Sequence, residues 1–264
     1  MAAKERLDRE MVDRGLVESR ARAQALIMAG EVRVDGELAR KAGQSVTAES
    51  VIEVNEPLPW VSRGGAKLEG ALDQFGLNPK GLRCADVGAC TGGFTDVLLQ
   101  RGATRVYAID VGYGQLAWSL RQDERVVVIE RTNARHLDAL PEAVELVVMD
   151  VSFISIRLLL PTIARWLPSN GTVVSLVKPQ FEAGRDQVGR GGIVRDPAVH
   201  RDVLRHVANF ALGNGWLLRG ITASPITGAE GNREFFVWLQ WQSRAPQPTV
   251  DPMIEAALRH ADAV

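Results

Sequence analysis

Apolar and polar positions change period along the chain, and the change divides it. In the first fifty residues the pattern is short. Ala23, Leu26, Ile27 and Gly30 follow i, i+3, i+4, i+7 spacing behind Ser19, which predicts a helix capped by Ser19 and stopped at Gly30. Glu31-Val32-Arg33-Val34 and Val51-Ile52-Glu53-Val54 alternate as strands, and Asp35-Gly36 is a hairpin turn. A head of two short helices and a small sheet follows. From Cys84 the rhythm becomes that of strands alternating with helices. Strand runs fall at 84–87, 105–109, 126–129, 146–149 and 172–177, with helical stretches at 115–121, 156–167 and 197–212. That alternation predicts a doubly wound parallel sheet. Trp216-Leu217-Leu218 and Phe235 to Leu239 are expected to close it as an antiparallel edge hairpin.

Between the two patterns, Asn55-Glu56-Pro57-Leu58-Pro59 is a proline-marked linker. A helix follows in which Leu68, Ala71, Leu72 and Phe75 share a face, and Lys67 sits in its first turn, where the helix dipole disfavours a cation. The expected division is a head at 1–56, a linker at 57–64, an α/β domain at 65–242 and a tail at 243–264 ending in a short helix.

Composition narrows the picture by exclusion. The net charge is −1, and residues 1–67 hold eleven basic and eleven acidic side chains, so any nucleic-acid contact must be local. The two cysteines, Cys84 and Cys90, match no zinc spacing, and no metal site is expected. The N-terminus is charged at once and no apolar run is long enough to span a bilayer, which points to a cytoplasmic protein.

The candidate chemistry begins after the first parallel strand. Asp86-x-Gly88-x-x-x-Gly92-Gly93-Phe94-Thr95 is a strand, a glycine turn and a helix start, the arrangement in which backbone approaches a nucleotide. A dinucleotide fingerprint would need glycine where Cys90 stands. The spacing instead resembles motif I of the S-adenosylmethionine-dependent methyltransferases. Asp110 ends the next strand, where an acid can accept from ribose hydroxyls, and Asn133 follows the third, placed either for an adenine edge or to bond its own backbone.

The head, through Arg6-Leu7-Asp8, Arg14 to Arg20 and Ala25 to Gly36, resembles the small RNA-binding domain named after ribosomal protein S4. That resemblance implies phosphate contacts at Arg14, Arg20 and Arg22. Four further segments, around Lys67, Asp150, Lys178 and Glu234, look like the Lys-Asp-Lys-Glu tetrad of the FtsJ-type ribose 2′-O-methyltransferases. Taken together, and with the run from Asp110 to Trp118, the chain to about Trp241 resembles the TlyA family of rRNA (cytidine-2′-O)-methyltransferases, some of which are also labelled haemolysins.

The resemblance implies a Rossmann-like methyltransferase sheet behind an α+β RNA-binding head, with adenosylmethionine as cofactor and rRNA in ribosomal subunits as substrate. A ribose hydroxyl is a weak nucleophile, so the protein must align it and manage one proton. Lys178 is the expected base or hydroxyl-orienting group, with Asp150 positioning it and Lys67 and Glu234 completing the set; the sequence does not choose which lysine takes the proton. A nearby cation and desolvation both lower a lysine's pKa. The rival readings are a nicotinamide-dependent oxidoreductase, a non-catalytic assembly factor and a membrane-active haemolysin.

Overall fold

Ser19 and Gly30 bound the helix around which the head is built. The computed structural model describes residues 5–54, 58–228 and 231–263, and the chain separates into two compact units, 1–59 and 60–264. Asn55, Glu56 and Pro57 of the expected linker lie outside the described residues.

The first unit runs β1 (Glu5–Arg6), α1 (Leu7–Asp13), α2 (Arg20–Ala29), β2 (Val32–Val34), β3 (Glu37–Leu38), β4 (Ser45–Val46) and β5 (Ile52–Val54). The Ser19 side chain accepts the Arg22 N–H, and Gly30 closes α2 in the left-handed region. Asp35 and Gly36 both have positive φ, 54° and 82°, so Val34 pairs directly with Glu37 across a two-residue turn. β2 lies between β3 and β5, and Leu7, Met11, Ala23, Leu26, Ile27 and Val32 form the core beneath. The β1–β4 ribbon is new: two residues per strand leave no alternation to read.

The second unit opens inside the stretch expected to be linker. The Val61 N–H donates to the Asp96 carboxylate at 2.8 Å, and a Cβ at Gly65 would overlap the Trp60 ring. Residues 60–63 therefore pack within this unit. α3 (Gly64–Phe75) follows, then β6 (Arg83–Val87), α4 (Gly93–Gln100), β7 (Arg105–Ile109), α5 (Trp118–Arg121), β8 (Val126–Ile129), β9 (Leu146–Met149), α6 (Leu160–Ile163), β10 (Thr172–Val177), α7 (Pro179–Glu182), α8 (Pro197–Gly213), β11 (Trp216–Ala223), β12 (Phe235–Trp241) and α9 (Val250–Ala263). The sheet order is β11-β12-β10-β9-β6-β7-β8; the five strands from β6 to β10 are parallel, and β12 runs antiparallel to both its neighbours.

Two expected helices are shorter than their periodicity implied. Residues 111–117 are held as a loop, with the Ala117 N–H donating to the Thr91 carbonyl, which leaves α5 one turn long. Around Pro161 the chain makes a 3₁₀ turn at Ile156–Leu158 before α6, because proline donates no N–H and its ring excludes a helical carbonyl four residues earlier. The tail also differs: α9 packs Ile254, Ala257, Leu258 and Ala261 into the same core as α8 and β11, so it is part of the seven-stranded sheet's cover.

Candidate active site

The ends of β6, β7 and β9 carry three aspartates, each held differently. Asp86 has no exposed surface; its Oδ2 accepts from the Thr95 N–H at 2.9 Å and the Thr95 hydroxyl at 2.7 Å, while its buried Oδ1 has no hydrogen-bond partner among the described residues. Burial pushes this carboxyl up to about 7, against the two Thr95 bonds and with help from the charge of Asp150. Asp110 accepts from the Cys90 N–H at 2.8 Å and the Gly112 N–H at 2.6 Å, joining the loop after β6 to the loop after β7. Asp150 faces Lys178, with Nζ 2.6 Å from Oδ1.

The loop after β6 is tight by construction. Gly88 has φ 84°, and a Cβ there would overlap the backbone carbonyl of Asp150; at Gly92, φ 98°, it would overlap Leu120. Cys90 takes positive φ, 48°, without being glycine, held by its bond to Asp110.

Two clefts open at this end of the sheet. The first, about 390 Å³, is walled by Val87, Gly88, Asp110, Asn133, Asp150 and Phe153 among others. The second, about 310 Å³, is walled by Ser62, Arg63, Lys67, Phe94, Asp150 and Gly228 among others. Gly88, Cys90 and Asp150 belong to both. The first cleft has the size of a nucleoside site and an acid at the end of its second strand. Its walls include two carboxylates, Asp110 and Asp150, the second of them paired with Lys178, and among the described residues no lysine or arginine lines it. Such walls offer a pyrophosphate no cation of their own and leave Asp110 to face a positively charged ligand, so the residues present fit adenosylmethionine better than a nicotinamide dinucleotide.

Of the residues expected to bind cofactor, Gly88, Asp110 and Asn133 line the first cleft and Gly93 and Phe94 the second. Asp86, Gly92 and Thr95 stand behind the loop, shaping it without lining either cleft. The Asn133 side chain accepts the Arg135 N–H at 3.0 Å, so its oxygen is engaged by its own turn.

The four tetrad residues come together as two ion pairs. Lys178, at the N-cap of α7 with Pro179 next, pairs with Asp150 and donates to Ser152 Oγ at 2.9 Å. Lys67, in the first turn of α3, donates to Glu234 Oε2 at 2.7 Å. Both lysines are largely enclosed, at 11% and 13% side-chain exposure, and Glu234 is at 2%. Glu234 thus supplies the anion that its helix position denies Lys67. Lys67 lines the second cleft, and Lys178 is tied to the wall the two clefts share.

Three residues here were not singled out from sequence. The buried Glu182 carboxylate accepts from Ser155 Oγ at 2.6 Å and the Ile156 N–H at 2.7 Å, linking the helix after Lys178 to the segment after Asp150; burial raises its pKa. Phe153 has φ 66°, is 90% exposed, and has its ring 5.0 Å from Phe181. Cys90 lines both clefts. Glu182 and Phe153 lie in the segments around Lys178 and Asp150 that carry the resemblance, and Cys90 stands where a dinucleotide fingerprint would need glycine, but no role for any of them is legible in the sequence.

In the head, the three arginines separate. Arg14 is spent on structure: it pairs with Glu10 at 2.7 Å and donates to the carbonyls of Ser50 and Thr47 at 2.7 and 2.9 Å. Arg20 reaches Asp8 at 3.1 Å yet stays more than half exposed, and Arg22 is exposed. Among the described residues, no cluster of three metal-ligating side chains occurs, and no helix is long and apolar enough to cross a membrane.

Comparison with known proteins places this geometry in a family. Residues 60–241 match the model of the FtsJ-like methyltransferases, and residues 5–52 that of the S4 domain. The chain is 50% identical over 247 residues to the 16S/23S rRNA (cytidine-2′-O)-methyltransferase TlyA of Mycobacterium tuberculosis, covering 92% of each chain. It is 42% identical to Hemolysin A of Brachyspira hyodysenteriae, over 87% of this chain and 97% of that one. A solved structure of a candidate hemolysin from Streptococcus thermophilus superposes with a TM-score of 0.77 at 43% identity, covering all of this chain and 97% of the other. The chain belongs to the TlyA family, an S4 domain followed by an FtsJ-like methyltransferase domain.

Proposed function

We propose that the protein transfers a methyl group from S-adenosylmethionine to a ribose 2′-hydroxyl of ribosomal RNA, with cytidine as the nucleoside, the activity carried in the name of its mycobacterial relative. The observation that carries this reading is the common wall of the two clefts, where Gly88 and Asp150 serve both and the Lys178–Asp150 pair meets them. The acid-lined first cleft suits the cofactor, held by Gly88 and Asp110 with Asn133 at the far wall. The second, with Arg63 among its walls, suits an anionic chain. Bound in the first cleft, adenosylmethionine supplies an electrophilic methyl group on a sulfonium, already activated.

The residues then have little bond chemistry to do. Lys178, fixed by Asp150 and Ser152, orients the hydroxyl, and once its ammonium has released a proton to solvent the neutral amine takes the hydroxyl proton as the oxygen attacks. Lys67, neutralised by Glu234, holds the edge of the second cleft without adding net charge. Glu182 acts through others, as a positioning residue that clamps the Asp150 and Lys178 segments together. Arg20 and Arg22 in the head are the arginines left to meet RNA phosphates. The place of work on this reading is the cytoplasm, where ribosomal subunits are made.

Lys178→Ala is expected to cut methyl transfer by roughly 100- to 10,000-fold while calorimetric binding of adenosylmethionine persists. An active variant would contradict the assignment of Lys178, and a wild-type protein that binds no adenosylmethionine would contradict the function.

A further inference from the structure

The loop that joins β7 to α5 is rigid and yet presents its largest apolar side chains to solvent. Five bonds fix it. The Gly112 N–H donates to Asp110, the Gly114 N–H to Glu130 at 2.9 Å, the Ala117 N–H to the Thr91 carbonyl at 3.1 Å, and the Arg131 N–H to the Gly112 carbonyl at 3.0 Å. Arg121 closes the set by pairing with Glu130. Leu116 and Leu120 anchor the segment in the core. Nevertheless Val111 is 70% exposed, Tyr113 67% and Trp118 74%.

A large side chain left in water contributes little to folding, and a loop this well bonded has no need of one there. The ring of Tyr113 is already covered by a cation: the Arg131 guanidinium lies 4.2 Å from its centroid, and Arg131 is itself exposed. Val111 at the start of the loop lines the first cleft, so the surface begins at the mouth of the active site. Exposed aromatic rings with an arginine stacked on them are what unpaired nucleotides bind: the bases stack and the guanidinium meets phosphate.

We propose that Tyr113 and Trp118, with Arg131, form a stacking platform for unpaired RNA nucleotides flanking the one that is methylated. The proposal rests on the RNA-methyltransferase reading above and adds a second RNA contact, on the methyltransferase unit itself. An isolated duplex has no unstacked bases to offer, so the platform selects single-stranded segments. Because stacking tolerates any base, it positions the substrate without choosing the sequence.

The test uses the full chain and fluorescence anisotropy with two labelled probes, a single-stranded oligouridylate and a duplex RNA, at one fixed salt concentration. The Tyr113→Ala/Trp118→Ala pair is expected to weaken oligouridylate binding roughly 10- to 100-fold. Duplex binding, adenosylmethionine binding by calorimetry and the melting temperature are expected to stay at wild-type values. The Tyr113→Phe/Trp118→Phe pair keeps the rings and is expected to bind oligouridylate as wild type does.

Unchanged oligouridylate binding in the alanine pair overturns the platform and leaves the methylation reading standing. So does equal loss on both probes, or a wild-type self-association, seen by sedimentation, that the alanine pair abolishes. A wild-type chain that binds neither RNA probe overturns both.

Discussion

Asp8 in the head and Asp86 in the methyltransferase unit are both shut away from solvent, and the protein treats them in opposite ways. Asp8 receives Arg6 at 2.9 Å, Arg20 at 3.1 Å and Gln24 at 2.8 Å, and these partners, Arg6 first, hold its carboxyl well below the usual range against the cost of burial. Asp86 receives only Thr95, keeps one oxygen unpartnered, and is pushed up to about 7. In the head, charge is neutralised to hold a small fold together. At the end of β6, a buried carboxyl is left half-satisfied behind a cleft that Asp110 and the Lys178-paired Asp150 wall, a cost that makes sense where a cationic ligand is to sit.

The sharpest way to break this contrast is at the contact between loops. Gly88→Ala would drive a methyl into the Asp150 carbonyl at a position of positive φ, and is expected to lower adenosylmethionine affinity and methyl transfer at least about 100-fold, as read by calorimetry and tritium transfer. Wild-type binding in that variant would mean the loops can separate.

The two aspartates give the next largest effect, with opposite signs. Asp86 is raised in the folded state, so from about pH 4 to 7 the native protein binds more protons than the unfolded chain and stability falls as pH rises. Asp86→Asn is therefore expected to gain on wild type across that window, by up to about 4 kcal/mol, and to gain no more above it. Asp8 is depressed, so its contribution is present above pH 4 and is lost as pH falls below that value. Asp8→Asn is expected to be less stable than wild type at neutral pH, with the gap closing in acid. Denaturant unfolding at several pH values reads both, and parallel pH profiles for the two variants would refute the comparison.

Smaller effects sharpen it. Arg14→Ala removes bonds to Glu10, Ser50 and Thr47 and is expected to cost the head about 1–3 kcal/mol, with any RNA defect following from lost stability. Phe153→Ala is expected to shift stability by less than about 0.5 kcal/mol, because the ring is 90% exposed, while raising KM for adenosylmethionine, whose cleft it walls.

Much of the fold was legible because each sheet position leaves a local mark. The apolar runs ending at Val87, Ile109, Ile129, Met149 and Val177 became the parallel strands, and the helix expected from Pro197 became α8. What misled was periodicity without its tertiary partner. Residues 115–117 read as helix, but the bond from Ala117 to Thr91 holds them in a loop. The tail read as a tail ending in a short helix, because β11, against which that helix packs, lies more than twenty residues earlier.

At the site, Lys67, Asp150, Lys178 and Glu234 were found through resemblance, since spacing cannot reveal that four distant segments meet as two pairs. The backbone strain at Phe153 and Cys90 was not legible, because positive φ at a non-glycine residue is imposed by contacts elsewhere. Arg14 matched the same pattern as Arg20 and Arg22, and its bonds to the carbonyls of Ser50 and Thr47 were not legible, for a guanidinium that satisfies carbonyls looks the same in sequence as one that awaits phosphate.

The most direct test is to map ribose 2′-O-methylation across rRNA of ribosomal subunits incubated with adenosylmethionine and either wild-type protein or Lys178→Ala. The account predicts a new 2′-O-methyl group on cytidine with wild type and none with the variant. No new methyl group with wild type, or methylation on a base, would contradict it.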